Sequence, residues 1–349
     1  MSYELIKDTS MGKMHKSKLV LATDLGGTNM RTALLNDKGE ILAHVRKPTN
    51  ADMGKDKVIE KLITTLKATA SKHKIPLKRI EGIGIGFPGP VDVELGVVLN
   101  PPNMKGWVNI PLRDIMEEEF KMPVTIENDA NAAALGEHWM GAGKGAKSLV
   151  CITLGTGVGG GIVLNDRVWH GATGIAGEIG HTTIIRNGLK CNCGNRGCLE
   201  AYASATGMVR MMRKALSMGG MDKQSLSVMP VDEEKLDKDG SKYITELAAK
   251  GNKIALSVIK EMIQILGIAI VNLIHILNPE VIVISGGVTN MGSKLFDPLR
   301  EEVKKRAFEK AVEYLRIVPA RLGENAGVIG AARSALMRLE HSRYDLKRS

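Results

Sequence analysis

Apolar positions along this chain follow two periods, and the switching between them lays out most of the elements before any motif is considered. Residues 18–24 (KLVLATD) form a short unbroken apolar run, the pattern of a strand covered on both faces. Gly26, Gly27 and Thr28 break the run as a tight turn, and 30–35 reads as a second strand returning beside the first. Residues 40–46 predict a third strand. Val58, Ile59, Leu62, Ile63 and Leu66 then recur at helical spacing, and 82–87 is another strand, closed by Pro88-Gly89-Pro90. A helix near 112–120, a short strand at 124–127 and a small-residue helix over 130–138 follow. Farther on, 254–277 is a long apolar-faced helix, 281–285 a buried strand, 293–308 a helix and 327–339 a last helix. Strands alternating with helices specify an α/β fold.

The pattern starts over partway along. Residues 149–165 (LVCITLGTGVGGGIVLN) resemble 19–36 (LVLATDLGGTNMRTALLN) at a shift of about 130 residues, with one residue of slippage. An internal duplication predicts two similar lobes, each opening with strand, glycine turn and strand, and a cleft where two glycine turns face one ligand. Residues 211–239 show no clear period, which predicts a surface excursion between helices.

Composition narrows the class. The chain has 349 residues, 44% hydrophobic, enough for two cored domains and too apolar for disorder. No run is expected to reach the roughly 20 apolar residues of a membrane span, and the polar head, residues 1–18, has no apolar signal core. The expectation is a cytoplasmic protein without a membrane partner. The formal charge of +10 suits anionic ligands, but basic residues mostly alternate with acidic ones, as in 300–306, so no nucleic-acid stripe is expected.

Glycine turns point to phosphate. Gly155, Thr156, Gly157, Val158, Gly159 and Gly160 fit the dinucleotide fingerprint, yet the residues that follow are short and β-branched, so a hairpin is expected in place of a helix. Residues 141–148 nearly spell a P-loop, but Ala146 replaces its second glycine and the segment precedes a strand. Asp24, Gly26, Gly27, Thr28 and Asn29 say more: an acid at a strand end beside a glycine turn combines a Mg²⁺ partner with backbone phosphate donors. Gly286 and Gly287, and residues 323–330, could add open backbone for a nucleotide's base and ribose.

Asn128 and Asp129 stand where a strand meets a helix. Either could be the helix cap, or one could accept a proton from an attacking hydroxyl while its neighbour binds adjacent hydroxyls. Glu178, His181 and Glu200 add groups suited to a polyol. His181, Cys191, Cys193 and Cys198 form H-x9-C-x-C-x4-C, the donor set of a closed tetrahedral Zn²⁺ site, structural because no position is left for water. The fourth cysteine, Cys151, sits in an apolar strand and reads as core.

Together these motifs resemble the ROK family (repressors, uncharacterised reading frames and sugar kinases), from about residue 19 to 339. The resemblance implies a two-lobed, actin-like, ribonuclease-H-like ATPase fold, with lobes at 1–127 plus about 327–349 and at 128–326, usually as a homodimer. It implies transfer of phosphate from ATP, with Mg²⁺, to the 6-hydroxyl of glucose. Asp129 would be the general base, and Asn103, Asn128, Glu178, His181 and Glu200 the sugar-binding positions, His181 also holding zinc. Other hexoses (N-acetylmannosamine, N-acetylglucosamine, fructose or mannose) fit the same motifs. Repressors of the family carry a helix-turn-helix module ahead of the sugar lobe, and the roughly 18 residues before the first strand are too few for one.

Overall fold

The computed structural model describes residues 17–72, 74–101, 104–218 and 231–345. The chain divides into two compact units. One runs to Gly141 and takes in His170–Ile175 and everything from Glu324 onward; the other holds Ala142–Trp169 and Ala176–Gly323.

The first unit is built on a five-stranded sheet ordered β3-β2-β1-β4-β7. Its strands are β1 (Leu19–Leu25), β2 (Asn29–Asn36), β3 (Ile41–Pro48), β4 (Ile80–Phe87) and β7 (Val124–Asn128), while β5 (Val91–Asp92) and β6 (Val97–Val98) make a separate small hairpin. β1 is central, antiparallel to β2 and parallel to β4, and Leu19, Val20, Leu21 and Ala22 are all fully or almost fully buried. That burial on both faces is what the unbroken apolar run required. Helix Lys55–Ser71 turns Val58, Leu62 and Leu66 into the core.

The second unit repeats the plan in the order β10-β9-β8-β11-β12: β8 (Ser148–Leu154), β9 (Val158–Leu164), β10 (Arg167–Val168), β11 (Val281–Ser285) and β12 (Arg316–Pro319). In each sheet three antiparallel strands continue into two parallel ones, and a glycine turn joins the central strand to its hairpin partner. The duplication is thus present in topology as well as in sequence. As expected, the turn at 155–157 closes a β8–β9 hairpin, with Leu154 opposite Val158.

Three expectations need correction. Residues 211–239 are not all irregular, because helices Ala205–Met218 and Glu233–Ala249 occupy both ends of the stretch. Met208, Met211 and Met212 bury one face and Leu236, Tyr243, Ile244 and Leu247 the other, while Asp232 caps the second helix on the Lys235 N–H at 3.0 Å. Residues 219–230 lie outside the described residues, as does the polar head up to residue 16. Helix Lys253–Leu277 does contain a stretch long and apolar enough to match a membrane span, but 61% of that stretch is buried against the unit's other helices, so it is the core helix of this unit.

The third correction concerns the boundary between units. Helix Asp129–Trp139 belongs to the first unit, although the sequence placed the break just ahead of it. It lies on helix Ala326–Asp345 so closely that a Cβ on Gly330 would fall 1.6 Å from the Ala132 carbonyl oxygen, and one on Gly136 2.2 Å from that of Ala326. Backbones at this spacing cannot separate to admit a methyl group without losing their contact. Gly330→Ala should therefore destabilise this unit by about 1–3 kcal/mol through overpacking, measured by urea unfolding; an unchanged midpoint would show that the helices can part.

Candidate functional site

In the first unit the glycine turn between β1 and β2 is held from inside. Gly26 N–H donates to Asn29 O (2.9 Å), Thr49 N–H to Thr28 O (2.8 Å) and Thr49 Oγ1 to Gly26 O (2.5 Å). Among the described residues nothing stands within 4 Å of where a Gly27 Cβ would project, so its backbone is open to a ligand. Asp24 is the next-to-last residue of β1, beside this turn. Burial pushes its carboxyl up to about 6, against the pull of the Arg31 guanidinium 3.8 Å away. An ionised Asp24 therefore lacks solvation that a bound cation would supply. Arg31 also meets Glu324 at 2.9 Å, and Glu324 pairs with Arg46 at 3.4 Å, which places two guanidinium groups beside the turn.

Asn128 is the helix cap. Its Oδ1 accepts the N–H groups of Ala130 (3.0 Å) and Asn131 (3.1 Å), and its Nδ2 donates to Gly89 O at 3.0 Å. Asp129 follows as the first helical residue, with Oδ1 accepting the Ala130 N–H at 2.9 Å. Asn103 lies outside the described residues.

Of residues 323–330, Gly323 faces open space among the described residues, whereas Gly327 and Gly330 are packed. Gly327 backs directly onto Asp24, its would-be Cβ 2.7 Å from the carboxyl carbon, and Gly330 packs against Ala132. These glycines seat a helix on its neighbours.

In the second unit the turn at Gly155, Thr156 and Gly157 is clamped by the elbow between helices Glu200–Ala203 and Ala205–Met218. Ala205 N–H donates to Gly155 O (2.8 Å), Thr206 Oγ1 to Thr156 O (2.8 Å) and Val158 N–H to Glu200 Oε2 (3.0 Å). A Cβ on Gly157 would strike the same Glu200 oxygen at 2.4 Å. Beside the turn opens a groove of about 410 Å³ lined by Thr156, Thr206, Val209, Arg210, Leu236 and Gly240, among others. Gly286, at φ 108, is pressed against the Leu154 carbonyl, whereas Gly287 faces open space.

The groove was missed from sequence because its residues come from separate stretches: Arg213, Leu236 and Asp237 lie within the segment read as aperiodic, while Thr206, Val209, Arg210 and Gly240 flank it and Thr156 sits in the glycine turn. Thr206, Val209, Arg210 and Arg213 do recur at helical spacing, and that was the available signal.

His181, Cys191, Cys193 and Cys198 converge, their ligand atoms all within 4.8 Å of one another. Cys193 and Cys198 Sγ are 3.7 Å apart, and Cys191 Sγ is 3.8 Å from His181 Nδ1. A tetrahedron with Zn–S bonds of ~2.3 Å has edges of about 3.8 Å, so the donor set and its spacing fit Zn²⁺. Burial pushes the Cys198 thiol up to about 12 and raises Cys191 as well, while the Asn195 backbone N–H lowers Cys193. The other ring nitrogen of His181, Nε2, points to Glu178 Oε2 at 3.9 Å. Glu178 is half exposed, and Glu200 Oε1 lies 3.7 Å from Cys191 Sγ. The structure thus gathers Glu178, His181, Glu200, the cysteines and the second glycine turn into one unit, and Asp24, the first turn, Asn128 and Asp129 into the other.

The model of the ROK family matches residues 20–338. The chain is 41% identical over 311 residues to the glucokinase of Halalkalibacterium halodurans, covering 89% of this chain and 92% of that protein. Among solved structures, the ROK hexokinase of Thermus thermophilus superposes with a TM-score of 0.79 at 33% identity, over 93% of this chain and 99% of that one. The ROK family glucokinase of Streptomyces griseus, solved with glucose and AMPPNP, does so with a TM-score of 0.73 at 31% identity, over 91% and 99%. With the family pattern running nearly end to end and the duplicated turns and the Cys₃His cluster in place, this chain is a member of the ROK family.

Proposed function

We propose that this protein is an ATP-dependent glucokinase that transfers the terminal phosphate of ATP to the 6-hydroxyl of glucose, with Asp129 as general base. The observation that carries the base assignment is the division of labour at the helix start. Asn128 commits its amide oxygen to two helix N–H groups and its nitrogen to Gly89, so the cap is Asn128, and Asp129 beside it brings the ionisable side chain of the pair to the first helical position. Phosphoryl transfer asks little covalent chemistry of the protein and much positioning and charge stabilisation. The open Gly27 backbone, the clamped turn at Gly155, Thr156 and Gly157, and the Arg31 guanidinium supply donors for phosphate. Asp24 would hold Mg²⁺, which neutralises phosphate charge when bound. The groove beside Thr156, with Gly287, suits the adenosine half of ATP, and Asn29 and Thr28 continue the first phosphate turn.

Glucose would be held by Glu178, His181, Glu200 and Asn128, with Asn103 added on the family pattern. His181 would present Nδ1 to zinc and Nε2 toward the sugar, so that one imidazole is oriented by metal and Glu178 together. Zinc here braces the sugar loop and takes no part in the reaction. The family pattern also favours a homodimer, for which Ile276, Phe308 and Tyr314 offer exposed apolar surface.

A coupled assay with ATP and Mg²⁺ across a panel of sugars tests the reading. Glucose should give the highest kcat/KM, ahead of mannose, fructose, N-acetylglucosamine and N-acetylmannosamine. Preference for a 2-acetamido sugar would reassign the substrate, and no turnover on any hexose would sink the kinase reading.

A further inference from the structure

One buried ion pair in the first unit is used by none of the roles above. Glu127 is the next-to-last residue of β7, its side chain only 3% exposed, and both of its oxygens contact His170 Nε2, at 2.9 and 3.1 Å. A carboxylate this deep is costly unless it is paired and hydrogen-bonded. Here Oε1 also accepts the backbone N–H of Asn128 at 3.0 Å. Glu127 therefore grips, on one side, the residue that caps the helix of Asp129. On the other side it grips His170, which opens the segment His170–Ile175, a short excursion of the chain that packs with the first unit although the residues before and after it belong to the second. Four residues on, Gly174 seats that segment against the Val91 carbonyl, where a Cβ would come within 2.9 Å.

We propose that His170 is a positioning residue for the phosphoryl transfer: through Glu127 it fixes the Asn128–Asp129 backbone from which the base is presented, and it keeps the His170–Ile175 segment seated at the end of β7. This rests on Asp129 being the base. The hydrogen bond that His170 donates to Glu127 raises its pKa, with burial opposing and the charges of Glu127 and Glu94 adding to the rise. Because a neutral imidazole still donates through one ring N–H, the link to Glu127 survives above that pKa, so the loss of the donor, and not its titration, breaks the device.

The test compares His170→Leu, which removes the donor, with His170→Gln, whose Nε2 can take the place of the imidazole Nε2. A misplaced base costs on the order of 10²-fold when displacement reaches about 1 Å. His170→Leu should lower kcat by about tenfold or more while KM for ATP stays within about twofold, and His170→Gln should recover kcat to within about threefold of wild type. Wild-type kcat in a folded His170→Leu protein overturns the proposal, as does equal loss in both variants. If His170→Leu does not fold, the comparison passes to His170→Ala, and failure of that variant to fold as well assigns the pair a purely structural role, which also overturns it. Asp129→Asn assayed in parallel separates the two readings. Full activity there removes the base assignment whatever His170 does, whereas an inactive Asp129→Asn beside an unaffected His170→Leu removes only the pairing.

Discussion

Asp129→Asn lowers kcat by about 10² to 10⁴, the usual loss on removing a general base, and leaves glucose binding within a few-fold of wild type. The substitution is suited to the question because it changes charge and basicity and little else. An asparagine at the first helical position still offers Oδ1 to the Ala130 N–H, the hydrogen bond that Asp129 makes at 2.9 Å. The cap belongs to Asn128 and is untouched, so unfolding should shift by well under the ~1 kcal/mol that loss of a cap costs. Asn128→Ala is the complementary control. It removes the cap and should lower stability by about 1 kcal/mol, with a smaller effect on kcat than the Asp129 change. Turnover by Asp129→Asn at the wild-type rate would mean that another group takes the proton, and glucose binding lost along with kcat would make Asp129 a sugar ligand first.

The sequence carried the fold further than it carried the site. Strands covered on both faces announce themselves by unbroken apolar runs, and Leu19–Leu25 and Val281–Ser285 were both legible for that reason. The repeat of strand, glycine turn and strand survived as topology because two sheets of one plan need the same buried central strand and the same tight turn. Helix Asp129–Trp139 was found, but its allegiance was not. That depends on Gly136 and Gly330 letting two backbones meet, and close approach between glycines some 190 residues apart leaves no local periodicity.

Within the site, the Cys₃His spacing was readable because three of the ligands lie within eight residues and a closed tetrahedron fixes what they must do. Glu200 was read as a sugar ligand, but that it also holds Val158 at the second phosphate turn was not visible, since the contact crosses 42 residues. His170 gave no signal at all. A lone histidine after a tryptophan resembles any loop residue until the buried carboxylate that it hydrogen-bonds is placed beside it.

Removing the metal should be the most damaging change in the second unit. The loop that carries the cysteines has little regular structure: Thr183 bridges Cys198, Lys190 bridges Arg196, and Gly197, at φ 75, is pressed onto the Ile185 carbonyl. Four donors converge on one point in it, and the binding energy of a metal at such a point would be folding energy for the loop. Metal analysis should find about one Zn²⁺ per chain. Cys193→Ala, or exhaustive chelation, should lower Tm by roughly 5–10 °C if several kcal/mol are lost, and should raise KM for glucose at least tenfold as His181 and Glu178 lose their common support. The damage should also reach the nucleotide, because Glu200 stands between Cys191 and the Val158 N–H, so KM for ATP should rise severalfold in the same variant. The pH dependence has a definite sign. The thiols must lose their protons and His181 must be neutral to bind metal, so affinity falls as pH falls, and zinc should leave most readily in acid. A protein that proves free of metal, with the Tm and glucose affinity of Cys193→Ala unchanged, would show that the cluster is held by its own packing and that zinc has no part in shaping the sugar loop.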